Sequence, residues 1–199
     1  MGTLYVVPAP AGDPNDLTRR ALRILEAVSL IVADDQGSVH ALLDHHGIAT
    51  PSVSIPGDGR LDALAEGDVA YLYIGSSLAL SELGHRLVQG ALDGSDPVVP
   101  VPGPSLPITA LVISGLPADS FVYLGELPQE PAARGELRAS IHAETRTILV
   151  LVAGALLSAA LADLHSALGD RPLALVAAST AGAQAVWRGS SQEAAAGLD

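Results

Sequence analysis

Two adjacent carboxylates, Asp34 and Asp35, close the apolar run LIVAD and are the first residues in the chain placed to do chemistry. At the exit of a strand in an α/β protein such groups often meet a ribose or a substrate. The same pair can also do no more than cap the helix that follows. His40, His45 and His46 follow, but the last two are adjacent and point apart on a helix, and no carboxylate stands at a ligand spacing. No metal site is expected. Gly75, Ser76 and Ser77 form a small polar loop with no His nearby, and no GxSxG occurs, so acyl transfer lacks its usual nucleophile. PAPAGD follows the first apolar run where a GxGxxG would stand, and the chain has no Lys for a Walker loop.

The segment PVPGPSLPITALVISGLP, residues 100 to 117, carries more information. Its prolines and glycines fix the backbone ahead of a helix whose first turn holds Ser105 and Thr109, so amides, hydroxyls and carbonyls face a cleft that suits a polar, uncharged ligand. The same composition fits a rigid linker between domains.

These residues need a frame. TLYVV (3 to 7), LIVAD (30 to 34), DVAYLYI (68 to 74) and PVVPV (97 to 101) have strand length, and amphipathic stretches separate them. The first intervening helix is expected to be capped by Asn15 or Asp16 and to place Leu17, Ala21, Leu22, Leu25 and Val28 on one face. Arg19, Arg20 and Arg23 take the other face. Continuous rather than alternating apolar strands imply a parallel sheet covered on both sides. The second half reads as another small sheet from 120–127, 146–152, 173–179 and 185–190, with a helix over 156–168 and a frayed tail, QEAAAGLD. The reading is α/β, in two small domains, 1–103 and 104–199.

Ten basic residues, all Arg, against 22 acidic ones give a net charge of −12. Such a field repels polyanions, so RNA is disfavoured unless the arginines cluster, as they do once at Arg19, Arg20 and Arg23. The absence of Cys excludes a disulfide frame, a thiolate zinc site and a Cys nucleophile, and makes the cytoplasm the default compartment. Residues 97–118 are uncharged but hold six prolines, and residues 147–162 are too short for the roughly 20 residues of a membrane span. A soluble protein is expected.

GTLYVVPAPAG, LTRRALRILEAVSLIVADD, LLDHHGIATP and the string from Pro102 to Pro117, PGPSLPITALVISGLP, followed by an aromatic strand ending in G-x-L-P, resemble the tetrapyrrole methylase superfamily. Within it they resemble bacterial small-subunit ribosomal RNA ribose 2′-O-methyltransferases, in order and spacing along nearly the whole chain. The resemblance implies a homodimer of two-domain α/β subunits that binds S-adenosylmethionine in a cleft between the domains. It implies that Gly12, Gly75, Ser76, Ser77, Gly103, Ser105, Thr109, Ala110 and Leu151 belong to the cofactor site, with Asp34 and Asp35 as candidate bases and ribosomal RNA as a partner through Arg19, Arg20 and Arg23.

Several positions depart from the family. Its Glu-Asp-Thr-Arg is here Asp34, Asp35, Gln36, Gly37, its Ser-Asp pair is Tyr73 and Ile74, and its Tyr-Glu-Ser-Pro-His-Arg is Leu151 to Leu156 with every polar side chain gone. Its Arg-Glu-Leu-Thr-Lys falls on residues 178–182, Ala-Ser-Thr-Ala-Gly. Cofactor binding through backbone groups survives such losses more easily than a grip on RNA does. Three readings stay open: a ribosomal RNA methyltransferase, a catalytically degenerate cofactor-binding or scaffolding paralogue, and a methyltransferase of tetrapyrrole-like small molecules.

Overall fold

The computed structural model describes residues 2–10, 12–58, 60–74, 81–177 and 185–197. The chain divides into two compact units, the first ending at Leu106 and the second beginning at Pro107.

In the first unit β1 (Leu4–Ala9), β2 (Leu30–Ala33), β3 (Ser52–Ser54), β4 (Val69–Ile74) and β5 (Val98–Pro100) form one sheet in the order β3-β2-β4-β1-β5. Every pairing is parallel. The central strands read as unbroken apolar runs because both of their faces are covered. Val7, Ala33 and Leu72 point to one face, where α1 (Arg19–Ala27) and α2 (Gln36–His46) supply Ala21, Leu25, Val39 and Leu43. Leu4, Val32 and Tyr71 point to the other, against Leu64 of a short 3₁₀ turn and Leu87 and Ala91 of α3 (Glu82–Asp93). Pro100, which has no amide hydrogen to give, sits in the edge strand β5, where the lost donor costs least.

The cap of α1 differs from expectation. Thr18 caps it, its hydroxyl accepting the Ala21 amide at 3.1 Å. Asn15 and Asp16 instead lie in a 3₁₀ turn, Pro14–Asp16, because Pro14 favours a first-turn position and the Asp13 carboxylate accepts the Asn15 amide. His46 is also spoken for, its Nε2 lying 2.9 Å from the Pro14 carbonyl oxygen.

The second unit contains α4 (Leu106–Ser114, whose first residue still belongs to the first unit), β6 (Phe121–Glu126), α5 (Pro131–Ile141), β7 (Thr147–Leu151), α6 (Leu157–Leu168), β8 (Pro172–Ala177), β9 (Ala185–Ser190) and α7 (Ser191–Ala196). Among the described residues its strands form two separate pairs, β6 with β7 in parallel and β8 with β9 antiparallel, rather than the single small sheet expected. Side chains knit the pieces together. Arg134 and Arg138 of α5 each reach Asp163 of α6 at 2.9 Å. The Arg188 guanidinium on β9 donates to the last carbonyls of α4, reaching Ser114 O at 2.9 Å and also Ile113 O.

The tail is not frayed as far as it is described. Ser190 and Glu193 form a reciprocal capping box at the start of α7, the Ser191 hydroxyl donates to Gly169 O at 2.9 Å, and Ala194 is buried. No helix among the described residues is long and apolar enough to cross a membrane.

Candidate active site

The strand order dictates where chemistry can gather in the first unit. β1 and β2 are followed by helices on one face of the sheet, whereas β4, which lies between them, is followed by α3 on the opposite face. Connections that leave adjacent parallel strands for opposite faces open a crevice at the carboxyl ends of those strands. Asp34, the residue after β2, stands at that edge and is exposed.

The Asp34 carboxylate is held from two sides. Tyr71 of β4 donates its hydroxyl to Oδ2 at 2.6 Å, and Ser81 donates to Oδ1 at 2.7 Å. Ser81 is itself the N-cap of α3, its oxygen accepting the Gly84 amide at 2.9 Å. One carboxylate thus ties together the end of β2, the middle of β4 and the start of α3. The body of Tyr71 is fully buried, and burial, followed by the hydrogen bond to the carboxylate, pushes its phenol far above the ordinary tyrosine range. It stays protonated and donates. Tyr73, two residues on along β4, stacks at a tilt 5.7 Å from Tyr71, and burial raises its phenol too.

Asp35 does different work. Its carboxylate caps α2, accepting the Gly37 amide at 3.0 Å and the Ser38 hydroxyl at 2.6 Å. The Ser38 side chain, then the Ser38 and Gly37 amides, hold its pKa below the ordinary aspartate value. The two carboxylates that the sequence offers as equivalent bases are both exposed, but one is held by hydroxyls from β4 and the start of α3 and the other caps α2. Next to them, Gln36 Nε2 is buried and has no hydrogen-bond partner among the described residues.

Gly103 lies just past β5, where a Cβ would come within 2.7 Å of Pro8 Cγ on β1. Its lack of a side chain lets the chain cross the end of β1 at close range. Gly12 follows β1 and Ser105 precedes α4; both are half-buried. Thr109 and Ala110 lie on α4, and Leu151 ends β7, where its carbonyl accepts the Leu127 amide at 2.8 Å. These three belong to the second unit. Gly75, Ser76 and Ser77 lie outside the described residues, as do Ala178 to Gly182.

The arrangement around Asp34 can accept a proton from a hydroxyl brought to the sheet edge. Comparison with known proteins gives the family. The family model for tetrapyrrole (corrin/porphyrin) methylases matches residues 3–195. The chain belongs to this family. Among relatives of the tetrapyrrole methylase, ribosomal RNA small subunit methyltransferase I of Xylella fastidiosa is 37% identical over 185 residues, covering 88% of this chain and 67% of that protein. The protein of the same name from Micromonospora olivasterospora is 36% identical over 182 residues, covering 87% of this chain and 58% of its own length. The chain thus spans about three fifths to two thirds of these relatives. Uroporphyrin-III-C-methyltransferase from Thermus thermophilus matches in structure with a TM-score of 0.67 at 26% identity, over 97% of this chain and 87% of that one. The mixed α/β fold is that of the tetrapyrrole methylases, as the Pro102–Pro117 string led one to expect.

Tyr71 and Ser81 escaped the sequence reading. Tyr71 sits inside DVAYLYI and reads as core, and only its hydroxyl, a polar tip in a buried position, signals that a partner must exist.

Proposed function

We propose that this chain transfers a methyl group from S-adenosylmethionine to a ribose 2′-hydroxyl of small-subunit ribosomal RNA, with Asp34 as the base. The single observation that carries the chemistry is the exposed Asp34 carboxylate, each oxygen oriented by one hydroxyl donor. An ionised carboxylate has about four acceptor sites, so roughly two remain for an incoming hydroxyl. The choice of acceptor rests on relatives named for ribosomal RNA at 36 to 37% identity.

The residues present suit the cofactor. The buried Gln36 Nε2, without a partner among the described residues, offers a donor that an acceptor on a bound ligand would satisfy, and the Pro102–Ser105 backbone lies just beyond β5 at the same sheet edge. When bound, S-adenosylmethionine supplies an electrophilic methyl on a sulfonium. The protein's own part is to bring a hydroxyl into line and to take its proton at Asp34: the new O–CH₃ bond forms as the S–CH₃ bond breaks, and S-adenosylhomocysteine leaves. Arg19, Arg20 and Arg23 would hold the RNA backbone.

The test is methyl transfer from radiolabelled S-adenosylmethionine to small ribosomal subunits lacking the modification, with cofactor binding followed by calorimetry. Asp34→Asn is expected to bind the cofactor within about threefold of the parent, under roughly 1 kcal/mol, and to lose about a hundredfold or more in transfer rate. Cofactor binding by the parent without transfer to the subunit would make the chain a cofactor-binding scaffold instead. Absence of cofactor binding would remove the methyltransferase reading altogether.

A further inference from the structure

We infer that Tyr71 is a positioning residue for the methyl transfer, acting through Asp34: its buried hydroxyl sets the direction in which that carboxylate receives the proton. The inference rests on the assignment of Asp34 as base.

Several features converge on it. Tyr71 is fully buried in the middle strand of the first unit, a place where a phenylalanine would satisfy packing, yet its hydroxyl finds an acceptor at 2.6 Å. A buried hydroxyl without a partner would be costly, so the bond to Asp34 is held by the core as well as by its own strength. The core also makes room for it. A Cβ at Gly84 would fall 2.1 Å from the Tyr71 oxygen and 2.6 Å from its ring carbon Cζ. Gly84 lies in the first turn of α3, where nothing in the helix itself asks for glycine, and its missing side chain is the clearance through which Tyr71 reaches the sheet edge.

Ser81 supplies the second donor and is fixed in turn by accepting the Gly84 amide. The two hydroxyls bind different oxygens, so they fix both the position and the plane of the carboxylate. One donor alone would leave it free to rotate about that bond. In-line attack on a methyl group is sensitive to placement of the acceptor oxygen, and a base that holds the hydroxyl in one direction contributes to that alignment.

The experiment is a double-mutant cycle on the full chain, with S-adenosylmethionine and small ribosomal subunits as substrates. Tyr71→Phe keeps the ring and removes one donor. It is expected to lower kcat by about tenfold or more while KM for both substrates stays within about twofold. Asp34→Asn should slow transfer by about a hundredfold or more, and Tyr71→Phe added to Asp34→Asn should cost nothing further in the residual rate, because both act through one carboxylate. Gly84→Ala, which crowds the Tyr71 oxygen in the same turn that fixes Ser81, should lower kcat at least as far. By proton NMR the Tyr71 hydroxyl proton should be visible in the parent and broadened by solvent exchange in Asp34→Ala.

Parent kcat in Tyr71→Phe alongside a slowed Asp34→Asn would overturn the positioning role and leave the base in place. Additive losses in the double variant would show that Tyr71 acts independently of Asp34, which also overturns it. Full activity in Asp34→Asn, or no transfer by the parent, would remove the proposed function and this inference with it.

Discussion

A side chain at position 103 would collide with the chain's own first strand before it met any ligand. The glycine stands in a Pro-Gly-Pro turn that resembles a cofactor-binding signature, but the structure puts Pro8 Cγ 2.7 Å from where its Cβ would be. Gly103→Val is therefore expected to lower the free energy of unfolding by about 1–3 kcal/mol through overpacking, read from the urea midpoint. An unchanged midpoint combined with lost S-adenosylmethionine affinity would put the ligand, and not Pro8, against residue 103. At this scale the sequence shows which residues are polar but not how they are shared out. Asp34 and Asp35 are equivalent in a string of letters. Only the neighbours across the sheet and along the helix, Tyr71 and Ser81 for one and Gly37 and Ser38 for the other, make one a candidate base and the other a cap.

Helix α1 carries three arginines in its first five residues, in a chain of net charge −12. Arg19, Arg20 and Arg23 are exposed, and none is in an ion pair among the described residues, whereas Arg86, Arg134, Arg138 and Arg146 are. Replacing all three by Gln is expected to weaken RNA binding and to flatten the dependence of log K on log salt by up to about 2, at roughly 0.7 for each phosphate contact to a single strand. Fluorescence titrations across a salt series would show it. A slope equal to the parent's would place the RNA elsewhere.

The elements differ in how legible they are, and the reason is burial. β1, β2 and β4 are continuous apolar runs because helices cover both sides, but β3 is three residues of which two are exposed, and its one apolar residue, Val53, makes no run. α5 buries only Ile141 and has no apolar face to read. The start of α7 was written in Ser190-x-x-Glu193, a capping box that the alanine-rich tail obscured. The two separate strand pairs of the second unit leave no trace in periodicity, since pairing partners are chosen by topology and not by local sequence.

Assembly belongs to the whole molecule. On α4, Ile108 is 38% exposed and Val112 72% exposed, an uneconomical use of large apolar side chains for a helix that stays in water. We propose that the chain is a homodimer and that a second copy covers this helix. Light scattering at micromolar concentration is expected to give twice the 20.2 kDa of one chain, and Val112→Arg to shift the mass toward one. A parent that scatters as 20.2 kDa would contradict the proposal.

The strand order of the first unit also governs how it can be born. β1 is made first but its neighbours are β4 and β5, and β2 reaches β1 only through β4. While a nascent chain holds nothing beyond residue 68, β2 can ladder only with the three-residue β3, and β1 has no partner strand at all. The first unit therefore cannot close its sheet until β4 has been made, and until then it exposes apolar segments that invite chaperones or misassociation. Fragments ending before Val69 should be unfolded and prone to aggregate, and protease resistance should emerge only once β4 has been added.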